Sequence, residues 1–184
     1  MDPYEGLPEH EREELEHARE LARQELEDSS AFQTFVTLGH AARNDKEFTA
    51  AVAFFFKALA CARRLKGEMS QEVGNVYVNL GILYGQQKDH VKEMEYFRNA
   101  LPIFQSALGP KHVHVAMTLN NLGIANRNAG DFNRSMMYFN KALTLYVEVL
   151  GADHSESIRT QRNIDRLVKL AHSKNQKKGA TILN

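Results

Sequence analysis

His112 and His114 are separated by one residue in "GPKHVHVAM", a spacing that can bring two imidazoles to one metal ion. No third ligand follows nearby in sequence, so a turn or helix-capping role is the better reading of the pair. Cys61 could act as a nucleophile, but it sits in the apolar stretch "FFFKALACARRL" and reads as a small core residue. Glycines occur singly, which argues against a phosphate-cradling loop. No catalytic residues, metal site or cofactor are expected, and the chain reads as a non-enzyme.

Two other patterns carry recognition chemistry instead. Arg159, Arg162, Arg166 and Lys169 follow a 3–4–3 spacing and share one helical face, which suits an anionic ligand. The bland alternative is the solvated face of a terminal helix. Asn79, Asn121 and Asn163 stand 42 residues apart. A primary amide both donates and accepts, so such a column can hold a peptide backbone without regard to its sequence. Alternatively, each Asn bonds groups of a neighbouring helix. Both patterns require a helical framework that repeats.

That framework is visible in the spacing. Gly39, Gly81 and Gly123 keep the same step of 42 residues, as do Leu38, Leu80 and Leu122. Phe55, Phe97 and Phe139 keep it, and so do Ala58, Ala100 and Ala142, and Leu59, Leu101 and Leu143. A period of this size signals stacked supersecondary units. In "LNNLGIANRNAGDFNRSMMYFNKAL", apolar residues at 3–4 spacing are broken at Gly130-Asp131 and resume at Phe132. Each unit is therefore a helix hairpin, with glycine where the axes approach and phenylalanine filling the space beside it. The pattern predicts helix pairs near 30–43/47–65, 70–86/90–107 and 112–128/132–149, an acidic helix near 9–27 and a last helix near 154–172. Pro102 should kink the helix that contains it.

The chain of 184 residues holds 23 basic and 23 acidic residues, distributed unevenly. Residues 1–30 carry eleven acids against three Arg, while residues 159–184 carry seven Lys/Arg against one Asp. The acidic helix could dock on the basic end, or each end could meet its own partner. A single cysteine excludes an internal disulfide and suits a reducing compartment. The acidic N-terminus has no apolar h-region, so no secretory signal is expected, and no apolar run is long enough to span a bilayer.

Leu80-Gly81…Tyr84 and Gly130-Asp131-Phe132…Phe139…Ala142-Leu143 resemble the tetratricopeptide repeat family. The 42-residue step and the phrase "ALGPKHVHVAMTLNNLG" resemble the longer-helix subclass found in kinesin light chains. The resemblance covers residues 30–172 and implies an all-α, right-handed α-solenoid of three repeats with a basic capping helix; the residues themselves add an acidic extension at 1–29 and a flexible tail at 173–184. It also implies a concave groove, lined by the first helix of each pair, that holds an extended peptide. Carried over by register, its candidate residues are Asn79; Asn120, Asn121, Arg127 and Asn128; and Arg159, Arg162, Asn163, Arg166 and Lys169. The same register adds Gln33, Val36, Thr37, His40, Arg43 and Asn44 of repeat one, Asn75, Val78, Ile82 and Gln86 of repeat two, and Met117 and Ile124 of repeat three.

Departures from the family pattern matter. The slots of a two-carboxylate clamp for chaperone tails hold Val36, His40, Asn79, Met117 and Asn121, and only Asn79 fits, so such tails are not expected ligands. The small residue before the Phe column is Ala51 and Ser135 in repeats one and three but Glu93 in repeat two, where looser packing is expected. The expected function is an adaptor or scaffold in a cytoskeletal, ciliary or motor-associated setting in the cytoplasm. Its partner would be a protein supplying an extended peptide or helix, acidic at the basic end of the groove. Nucleic acid is not expected, because the basic face lacks interleaved aromatics. The chain would work as a monomer or within a hetero-complex. The competing reading is a structural subunit built permanently into a larger assembly through its convex face and charged ends.

Overall fold

The computed structural model describes residues 29–182, with side chains described through Ser173. The acidic segment expected as a helix near 9–27 lies outside them. Among the described residues there are seven helices and no strand. They are α1 (29–44), α2 (Phe48–Lys66), α3 (Gln71–Gln86), α4 (His90–Leu108), α5 (Val113–Asn128), α6 (Phe132–Leu150) and α7 (Ser155–Ile182). The first six match the expected pairs closely. The last is longer than the 154–172 expected from periodicity. α4 passes through Pro102 without a break.

The described residues fall into two compact units, divided between Leu65 and Lys66. In the first, α1 and α2 meet where Gly39 faces Phe55: a Cβ on Gly39 would stand 2.7 Å from the ring. Phe55 is fully buried with Ala51 and Ala58, and the His40 ring meets it edge-on. Cys61 is half-buried.

In the second unit α3 packs on α4, α4 on α5, α5 on α6 and α6 on α7. This is the order of a solenoid, in which no hairpin buries its apolar stripe alone. The glycine and phenylalanine columns meet again: a Cβ would stand 2.6 Å from the Phe97 ring at Gly81, and 2.5 Å from the Phe139 ring at Gly123. Glycine is required because the hairpin brings ring atoms to within 3 Å of where a Cβ would stand. Burying each phenylalanine stabilises by about 1.5–3 kcal/mol. Phe97, Phe104, Val115, Leu122 and Tyr146 belong to one continuous core that joins both repeats.

The hairpin turns have a column of their own. Lys46, Lys88 and Gly130 are 42 apart and all adopt left-handed backbone, with φ of 64°, 61° and 84°. Lys88 N–H bonds Gly85 O, and Asp89 N–H bonds Tyr84 O, both at 3.0 Å, so the turn is a Schellman closure. Asp89 and Asp131 then cap α4 and α6 by accepting from the N–H groups of Lys92 and Arg134. A lysine in this conformation carries a steric cost that glycine avoids. Lys88→Gly should therefore stabilise the chain by about 1 kcal/mol, read as a higher urea midpoint. An unchanged or lower midpoint would show that the turn is not strained.

Candidate functional site

In the second unit, the first helices α3 and α5 place polar positions side by side. On α5, Asn121, Ile124 and Asn128 follow a 3–4 spacing and share one face. Ile82 and Gln86 share a face of α3. Together they line a pocket of about 280 Å³, completed by Gly85 of α3 and by Glu93 and Phe97 of α4. Two isoleucines supply apolar contact, three amides supply donors and acceptors, and one carboxylate supplies charge. Polar and apolar groups side by side in a concave pocket can hold a ligand and fix its orientation.

Glu93 changes the picture of repeat two. It is 6% exposed, so the slot is filled rather than loose. The reason is Gly85: a Cβ there would fall 2.6 Å from Glu93 Oε1, so the missing side chain makes room for the carboxylate. Oε2 accepts a hydrogen bond from His90 Nδ1 at 2.7 Å, since an ionised carboxylate can only accept. In repeat three the same slot holds Ser135, whose Oγ donates to Gly123 O at 2.7 Å.

The candidate residues fall into three groups. Asn121 and Asn128 line the pocket, while Asn79 and Arg127 are half-buried nearby on the first helices. Arg127 donates to Asn128 Oδ1 at 3.3 Å. Asn120 and Asn163 form a second group, turned into the packing between α5 and α7 at 1% and 8% exposure. Asn120 Oδ1 accepts from Asn163 Nδ2 and from Thr160 Oγ1, both at 3.4 Å. The Asn column is thus split, with Asn163 bonding a neighbouring helix. The third group is the basic stripe: Arg159, Arg162, Arg166 and Lys169 are all exposed on α7. Arg159 pairs with Glu156 one turn before it.

In the first unit, Gln33 and Thr37 are exposed and His40 is half-buried. Burial, and then Arg43, lower the pKa of His40 below its ordinary value. His112 does cap α5: its Nδ1 accepts from the N–H of His114 at 3.2 Å. Burial, and then His112, lower the pKa of His114. No group of three or more metal-binding side chains occurs among the described residues. Glu93 and Gly85 were missed as site residues, although their departure from the 42-residue columns was a visible signal.

The comparisons agree with this architecture. A tetratricopeptide repeat family model matches residues 30–106 and again 94–146. No curated protein sequence matches the chain. Among solved structures, BtubC (BKLC) from P. vanneervenii superposes with a TM-score of 0.72 at 22% identity, covering 85% of this chain and 62% of its own. The chain thus spans less than two thirds of that neighbour. A putative kinesin light chain with nearly identical TPR-like repeats from Podosopora anserina gives a TM-score of 0.64 at 12% identity, covering 80% of this chain and 70% of its own. The Sgt2 TPR domain from Aspergillus fumigatus gives 0.58 at 17% identity, covering 79% and 82%. At such identities the likeness is one of fold. Among the described residues no helix is long and apolar enough to cross a membrane. The chain belongs to the tetratricopeptide repeat family, whose repeats are non-catalytic scaffolds for protein–protein interaction.

Proposed function

We propose that the chain is an adaptor that binds an extended peptide or helix of a protein partner along the first helices of its repeats. The pocket between α3 and α5 carries this reading, because Asn121, Asn128 and Gln86 offer amides to a backbone while Ile82 and Ile124 offer apolar contact. The basic stripe of α7 would receive acidic groups of the same partner. The likeness to a putative kinesin light chain supports a cytoskeletal or motor-associated setting; none of the neighbours speaks for a cilium. A structural-subunit role is the second reading, favoured by the exposed Val91 of α4 and the exposed Met137, Val147 and Val149 of α6.

The test is capture from cell extract with three baits: the full chain, Asn121→Ala, and Arg162→Glu with Arg166→Glu. Loss of a backbone-directed hydrogen bond should weaken retention about tenfold, and charge reversal should remove acidic partners selectively. Circular dichroism confirms folding of each bait. Equal retention by all three would reject the adaptor reading and favour the structural subunit.

A further inference from the structure

Resting on the peptide-binding reading above, we infer that the pocket between α3 and α5 takes a cationic side chain of the partner, arginine before lysine, on Glu93.

Three positions around the turn of repeat two depart together from their columns. Glu93 stands where the other repeats have Ala51 and Ser135. Gly85 stands where they have Arg43 and Arg127, and His90 where they have Phe48 and Phe132. Hairpin packing does not require this set, since repeat three closes around Ser135 with a bond to Gly123. Each change serves the carboxylate: Gly85 clears the space it occupies, and His90 fixes Oε2. The result is a buried negative charge lining an open pocket. Such a charge is costly to bury without strong partners, and one histidine contact leaves acceptor capacity unused.

The rest of the pocket suits the same guest. The amide oxygens of Gln86 and Asn121 can accept from a guanidinium, whose five donors fan out in a plane. Ile82, Ile124 and the Phe97 ring can cover its aliphatic stem. Arg127, beside Asn128 on α5, donates to Asn128 Oδ1 and does not itself line the pocket. α7, with its basic stripe, is the next first helix beyond α5. Helices pack about 8–10 Å apart, or roughly three extended residues. A matching peptide would carry its arginine in the pocket and acidic residues roughly three to five positions further along. Opposite charges at the two places would fix its register and direction.

A phage-displayed library of random dodecapeptides, selected on the full chain, tests this. Enriched peptides should share an arginine or lysine at one position. In synthetic copies, replacing that arginine by citrulline, which is neutral and nearly isosteric, should weaken binding about tenfold or more on the unaltered chain. The same replacement should matter little on Glu93→Gln, which keeps the shape of the side chain. Because the change is made in the peptide, this comparison does not depend on how Glu93→Gln affects folding. Peptides enriched without a cation, or an equal citrulline effect on both chains, would overturn the inference and leave peptide binding standing. Enrichment of no peptide at all would remove both.

Discussion

Phe139→Ala should lower the free energy of unfolding by about 3–5 kcal/mol, the range for truncating a fully buried aromatic ring. The ring has no exposed surface and lies against Gly123. The hollow left behind would be hard to close, because the residue facing it has no side chain to move in. Urea denaturation followed by circular dichroism measures the loss. In a chain of this size each kcal/mol corresponds to roughly 2–4 °C of Tm. A loss below about 1 kcal/mol, the average for any substitution, would mean that the ring does not hold the hairpin closed.

Gly123→Ala should also destabilise, against helix propensity. In an exposed helix interior alanine is better than glycine by about 1 kcal/mol. Here the new Cβ would stand 2.5 Å from Phe139 Cδ1 and 2.6 Å from Cε1, inside any tolerable contact. Overpacking of this kind costs about 1–3 kcal/mol, so the ring decides the sign. Combining Gly123→Ala with Phe139→Leu should cost less than the two changes summed, because the clashing ring atoms are gone. Stabilisation by alanine alone, or strict additivity, would show that the two columns do not meet.

The glycine–phenylalanine contact was legible because both columns recur at one period, and a small residue paired with a large one has a plain steric meaning. The hairpins and their bounds followed from the same period. The left-handed turn was legible only at Gly130, since Lys46 and Lys88 carry no sign of that conformation in their chemistry. Glu93 was visible as a departure, but its burial was not. That depends on Gly85, eight residues earlier, which faces it only once the hairpin closes. Asn120 and Asn163 share the amide chemistry of Asn121, and the 42-residue column does not tell which face of a helix meets its neighbour. Only the packing of α7 on α5 separates buried amides from those at the pocket.

Amide shift mapping with a peptide selected on the full chain locates the binding face. If the peptide lies in the pocket between α3 and α5, shifts should concentrate at Ile82, Gln86, Asn121, Ile124 and Asn128. Shifts concentrated instead on the exposed faces of α4 and α6, around Val91 and Met137, would contradict it.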